Sequence, residues 1–225
     1  MTLWIFGDSL SLPYDLNHPN QGWPSLLSNK LGTELKNFAE IAADNFFIYC
    51  CYLENKKHIK SDDLVVIGWS HPSRKSFVLD RNNFNHNNVI NTSHVYATPT
   101  QEFIRNKNSK NIANNHWLPY LTPVPSGKEF YDTWFKNYYS EYEQTRNLQS
   151  FYDSVKYTCT SQCIMFFFNQ ESTTGITITE TNFALDFITK HQLNINDTNM
   201  HFNQRGHQAW ADYLYKKITQ KDLTQ

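Results

Sequence analysis

Apolar positions along the chain fall into two rhythms. Leu3-Trp4-Ile5-Phe6 and Leu64-Val65-Val66-Ile67-Gly68-Trp69 are unbroken runs, the pattern of strands buried on both faces of a parallel sheet. The first predicts a strand over residues 2–8, ending at Gly7-Asp8-Ser9. Residues 22–32 follow a helical rhythm instead. Pro24 suits the first turn, Leu27 and Leu31 share a face, and Gly32 can cap the C-terminus. A short strand is predicted over 34–39. A helix is predicted over 44–57, with Phe47, Cys51 and Glu54 on successive turns. The order βαβαβ predicts a parallel sheet with helices on its faces.

After Trp69 the alternation breaks. Residues 71–127 are polar, Asn-rich from Asn82 to Asn91, and carry Pro99, Pro119, Pro123 and Pro125. A structureless loop of that length is uncommon inside a compact domain. The segment reads as an insertion with short elements of its own, over one edge of the sheet. Residues 128–157 then predict a long helix or helix pair. Its four-spaced ridge Phe130, Trp134, Tyr138 and Tyr142 is expected to pack against the core or an interface. A strand over 162–168, a helix over 181–191 and a last helix over 203–219 complete one domain, 1–225, with no repeat and no Gly/Ser linker.

Composition narrows the function. A net charge of -1 gives no basic excess, so nucleic acid is not an expected partner. No apolar run approaches the ~18 residues of a membrane helix, so no membrane partner is expected. The N-terminus lacks a basic region followed by a long apolar stretch, so no signal peptide is predicted. A cytoplasmic or virion-associated location is the expectation. Cys50 and Cys51 read as buried thiols, and Cys159 and Cys163 lack a zinc-like spacing. No metal and no cofactor are expected. Asn91 and Asn196 match glycosylation acceptors, accidental in a chain without a secretory signal.

Gly7-Asp8-Ser9 at a strand end admits two readings. Gly turns the chain while Asp or Ser caps a helix, or Ser9 is presented as a nucleophile. Far along the chain, Asp197 and His201 precede the last helix. Serine hydrolysis needs a base for the Oγ proton and an acid that orients the imidazole. Ser9, His201 and Asp197 supply those three types.

Taken together, these pieces resemble the GDSL esterase/lipase family, also called SGNH hydrolases. Gly7-Asp8-Ser9-Leu10 matches the family's first block. Trp23-Pro24-Ser25-Leu26-Leu27 with Leu31-Gly32 looks like its first helix. Asn37-Phe38-Ala39 with Ala42-Ala43-Asp44-Asn45 resembles the second block. Ile67-Gly68-Trp69-Ser70 sits where the third block ends a strand, and Asp197 to His207 resembles the fifth. The blocks come in family order and span nearly the whole chain.

The resemblance implies an α/β fold: a three-layer α/β/α sandwich with a central, mostly parallel sheet in flavodoxin-like order and a long insertion after the third strand. It implies an ester hydrolase with Ser9 as nucleophile, His201 as base and Asp197 as orienting acid. The oxyanion hole would be the Ser9 N–H, the Ala42 N–H in place of a glycine, and Ser70 in place of an asparagine side chain. Losing one oxyanion donor costs about 10²–10³ in rate. The family's acid stands three residues before the histidine. Thr198 occupies that position here and Asp197 lies one earlier, so either a bulge restores the geometry or Asn199 orients the ring. Trp69-Ser70 resembles virus-associated members, and the Lys-, Asn-, Phe- and Tyr-heavy composition suggests an AT-rich genome, as in a phage.

Other residues near the motifs carry two readings each. Asp8 either shapes the turn, which is favoured, or meets substrate. Trp69 walls a pocket or packs under the sheet. His71 lines the pocket or lies on the surface. His207 is expected to be structural rather than basic. The expected substrate is a small-molecule or glycan ester, with acetyl on a carbohydrate as one form. A non-catalytic module on the same scaffold, for instance in a virus particle, is the alternative, and acyl transfer uses the same residues.

Overall fold

The computed structural model describes residues 1–13, 15, 17–41, 43–72, 76–78, 89–91, 140–170, 173–177, 182–196 and 199–220. Four strands form the central sheet: β1 (Thr2–Phe6), β2 (Glu34–Asn37), β3 (Leu64–Trp69) and β6 (Gln162–Phe167). Their spatial order is β2-β1-β3-β6, and every pairing is parallel. A single parallel bridge from Phe167 to Phe183 extends the edge beyond β6. Two antiparallel pairs lie outside this sheet, β4 (Ser76–Val78) with β5 (Val89–Asn91), and β7 (Asn194–Asn196) with β8 (Asn199–Phe202).

The inner strands β1 and β3, and β6 from Ile164 on, are apolar because both faces are covered, whereas the edge strand β2 is the polar Glu34-Leu35-Lys36-Asn37. The strand period of two divides the core in half. Leu3, Ile5, Leu64, Val66, Ile164 and Phe166 point to one face. There they meet α1 (Trp23–Leu31), α4 (Ala184–His191) and α5 (Gln204–Gln220). Trp4, Phe6, Val65, Ile67, Met165 and Phe167 point to the other. That face is covered by α2 (Asn45–Asn55) and α3 (Glu141–Thr158). The result is an α/β sheet with helices on both faces. Each such side chain fully buried contributes about 1.5–3 kcal/mol. Phe166 centres the first half, edge-on to Trp23 at 5.9 Å and to Trp210 at 5.4 Å.

Helix ends follow local chemistry. Pro24 stands in the first turn of α1, and Gly32 closes it in the left-handed conformation at φ 64°. Asp44 caps α2 by accepting the Phe47 N–H at 2.8 Å. Ser140 caps α3 by accepting the Glu143 N–H at 3.2 Å.

Expected elements shift at their ends. The first strand stops at Phe6 rather than residue 8, because Asp8 turns the chain as the cap of a 3-10 turn over Ser9–Ser11. The helix expected over 44–57 becomes α2 followed by a 3-10 turn over Lys56–His58. The helix expected over 181–191 begins at Ala184, since Asn182 and Phe183 are drawn into bonds with β6.

Of the aromatic ridge, Tyr142 does not pack on the core. Tyr142 is 74% exposed, whereas Leu148, Tyr152 and Val155 form the buried stripe of α3. Four-residue spacing drifts by roughly 40° per step around a helix of 3.6 residues per turn, so such a ridge cannot stay on one face. Phe130, Trp134 and Tyr138 lie outside the described residues, as does most of the insertion. Among the described residues, no helix is long and apolar enough to cross a membrane.

Candidate active site

Strand order reverses between β1 and β3, where the chain leaves β1 to one side for β2 and returns on the other for β3. In open α/β sheets, ligands bind outside the carboxyl ends of the strands at such a point. Ser9 follows β1 there, and Ser70 follows β3.

Ser9 is the first residue of its 3-10 turn. Three anchors hold that turn. Asp8 accepts the Leu10 N–H at 2.9 Å, the Trp23 indole N–H donates to the Leu10 carbonyl at 2.8 Å, and Asn37 Nδ2 donates to the Ser11 carbonyl at 3.0 Å. Gly7 permits the tightness, since a Cβ there would stand 2.5 Å from Ser11 Oγ. The Ser9 N–H makes no hydrogen bond among the described residues.

His201 comes from β8, 192 residues away, and its Nε2 lies 2.8 Å from Ser9 Oγ. Strand β8 is set by the hairpin with β7 and by the start of α5. Asn203 N–H donates to the Leu193 carbonyl at 2.8 Å, Asn203 Nδ2 donates to the Asn194 carbonyl at 2.9 Å, and Asn203 Oδ1 accepts the Gly206 N–H at 2.8 Å. Phe202, buried beside His201, packs on Trp210. A serine hydroxyl within hydrogen-bond reach of an imidazole has the geometry that a nucleophile–base pair requires.

The remaining sequence candidates fall in different places. Asp197 and Ala42 lie outside the described residues, as does the side chain of Asn199. Asp8 is buried, and both its carboxylate oxygens are engaged, one by the Leu10 N–H and one by the Ser70 hydroxyl. It shapes the turn instead of facing substrate. Ser70 departs from the expected oxyanion role. It is fully buried, and its only hydroxyl hydrogen goes to Asp8 Oδ2 at 3.0 Å, which leaves none for an oxyanion. Trp69 packs under the sheet with Phe6 and Tyr152 rather than walling a pocket. His71, half-buried, stands edge-on to Phe168 at 5.9 Å.

His207 is in the core. Its Nδ1 accepts the Trp23 N–H at 3.2 Å. Burial, then the neighbouring His201 charge, pushes its pKa down to about 4. Its neutral ring serves as the missing N-cap of α1, whose cap residue Gly22 has no side chain.

Sequence reasoning gave Asn45 no role. Its amide spans both peptide groups of Ser70, accepting the N–H through Oδ1 at 2.8 Å and donating Nδ2 to the carbonyl at 3.0 Å. An Asn directly after the cap Asp44 reads as a second cap, so only the fold reveals its partner. Among the described residues, no three His, Cys, Asp or Glu side chains group as a metal site. Neither a family model nor a curated protein matches the chain.

Proposed function

We propose that the protein is a serine ester hydrolase acting through an acyl-serine intermediate. The observation that carries this reading is the 2.8 Å contact between Ser9 Oγ and His201 Nε2 at the carboxyl edge of the sheet. Ser9 attacks the ester carbonyl while His201 Nε2 takes its proton. The developing oxyanion meets the Ser9 N–H, which has no partner among the described residues. His201 then returns the proton to the departing alcohol, and water, deprotonated by the same nitrogen, releases the acid. The ordered resemblance to GDSL esterases supports the same chemistry and makes Asp197 or Asn199 the group that orients His201. It also supports a small acyl group, acetyl on a carbohydrate, as the substrate class.

Turnover of p-nitrophenyl acetate tests the reading, together with labelling by a fluorophosphonate. Both should be lost in Ser9→Ala, whose melting temperature should stay within a few degrees. Labelling of the alanine variant at the wild-type rate would exclude Ser9 as nucleophile.

A second reading is a catalytically weak or inactive binding module on this scaffold, such as part of a virus particle. The engagement of the Ser70 hydroxyl by Asp8 favours it, since one oxyanion donor implied by the resemblance is then missing. Wild-type protein that neither turns over the ester nor takes up the fluorophosphonate would select this reading.

A further inference from the structure

Ser9 lies between Asp8 and Leu10, and the Asp8 carboxylate ties those two residues together through the Leu10 N–H. The other oxygen of that carboxylate receives the Ser70 hydroxyl, from 62 residues away. Ser70 in turn has both its peptide groups held by Asn45, which lies 25 residues before it in sequence. The hydrogen-bonded path therefore runs from the first residue of α2, through the end of β3, to the turn after β1.

All three side chains are withdrawn from solvent: Asn45 is 7% exposed, Asp8 2% and Ser70 0%. A buried polar group holds its place only when its hydrogen bonds are made, and a broken link leaves an orphaned partner. The Asn45 amide matches its partner in shape and polarity. One Asn side chain presents an acceptor and a donor in a plane, matching the N–H and C=O of a single residue. Asp would offer two acceptors and set a carboxylate against the Ser70 carbonyl. Alanine would leave the N–H and the carbonyl of Ser70 without partners.

We infer that Asn45 is a positioning residue for Ser9, acting through Ser70 and Asp8 to fix the turn that presents the hydroxyl to His201. The inference rests on the esterase reading for its effect on rate, but not for its effect on geometry. Displacement of a reacting group by about 1 Å can cost on the order of 10² in rate.

The test uses the full chain with Asn45→Ala, Ser70→Ala, their double variant and Ser70→Thr. For p-nitrophenyl acetate, Asn45→Ala should lower kcat by about 10–100-fold with KM nearly unchanged. Ser70→Thr, which keeps the hydroxyl, should recover most of the rate. The double variant should be no slower than the worse single one, because the residues act in one chain. The second readout is the His201 ring resonance by NMR. In Asn45→Ala it should move toward its position in Ser9→Ala, while the His207 resonance stays in place. A lower melting temperature with kcat per folded molecule and the His201 resonance unchanged would overturn the inference. Should wild-type protein turn over no ester, the esterase reading fails alone, and the His201 resonance decides the positioning role. Should Asn45→Ala not fold, Asn45→Asp carries the same NMR test, and an unmoved His201 signal overturns the inference.

Discussion

The Nδ1 of His207 accepts the backbone N–H of Trp23, so a histidine of α5 closes the N-terminus of α1 across 3.2 Å. The ring can accept only while Nδ1 is unprotonated. Six residues before it, His201 faces Ser9. Two histidines of one segment are thus divided between the site and the core, and they should separate cleanly by experiment.

His207→Ala should cost about 1–3 kcal/mol of stability, from an orphaned N–H and lost packing on Phe202, with ester turnover largely kept. The sign of the pH effect follows from the lowered pKa. The folded state binds this proton at about 4 and the unfolded chain near 6.5, so the unfolded state is favoured by protonation. The stabilisation is present above pH 6.5 and is lost as pH falls toward 4. Urea unfolding at pH 7.5 and pH 5 measures it. Wild type should weaken at pH 5, and His207→Ala should weaken less. Equal weakening would remove His207 as the source.

His201→Ala should do the opposite, with turnover falling by orders of magnitude and melting temperature nearly unchanged. The ring is only half-buried, as is Ser9 against its Nε2, so little packing is lost. In wild type, kcat/KM should rise with pH, because only an unprotonated imidazole can take the serine proton. A flat profile from pH 5 to 8 would contradict the base role.

How far this site could be read beforehand depends on the kind of signal. The central strands were legible because burial on both faces makes them unbroken apolar runs. The β7–β8 hairpin was not, because Asn194-Ile195-Asn196 is three residues long and mostly polar. Its register is set by Asn203 and Phe202 rather than by alternation. Ser9 and His201 could be paired only through the ordered resemblance, since neither local pattern differs from a cap and a loop histidine. The partner of the Ser70 hydroxyl was hidden for a definite reason. Sequence shows that a hydroxyl can donate, but only the fold shows that Asp8 already takes that hydrogen.

Asp63 anchors the start of the sheet. It accepts the Thr2 N–H at 2.6 Å, the Trp4 indole N–H at 3.0 Å and the Lys60 N–H at 3.0 Å. Burial pushes its pKa up, but those three hydrogen bonds and the N-terminal charge outweigh it and hold the carboxyl below its ordinary range. A depressed folded pKa means stability that is present above the unfolded value, about 3.9, and is lost as pH falls through the folded one. Asp63→Asn should lower stability by on the order of 3 kcal/mol at pH 7, for a buried charged hydrogen-bond network. Its unfolding free energy should also fall less steeply below pH 4 than that of wild type. A parallel acid limb in the two proteins would assign that loss to other carboxylates.

Three of the four thiols should differ sharply in reactivity, because their surroundings push them in opposite directions. Burial, with the Asp44 and Glu54 charges, pushes the Cys50 thiol up to about 12, and Cys51 beside it goes higher still, chiefly by burial. Contact with the Cys163 thiol holds Cys159 down to about 5, against burial and with help from the Ser161 hydroxyl 3.2 Å away. The thiolate is the reactive form, and Cys159 is half-buried where Cys50 and Cys51 are buried. At pH 7 one equivalent of iodoacetamide should therefore alkylate Cys159 first. The rate should level off well below pH 8, since little thiol remains to ionise there. Cys50 and Cys51 should react only after unfolding. Cys163→Ala should slow the reaction at pH 6 more than at pH 9, because the hydrogen-bond partner that lowers the pKa is removed. Peptide mapping by mass spectrometry gives the order directly. Labelling of Cys50 or Cys51 in the folded protein as fast as Cys159, or a Cys159 rate still climbing from pH 7 to 9, would show that the contact with Cys163 does not activate it.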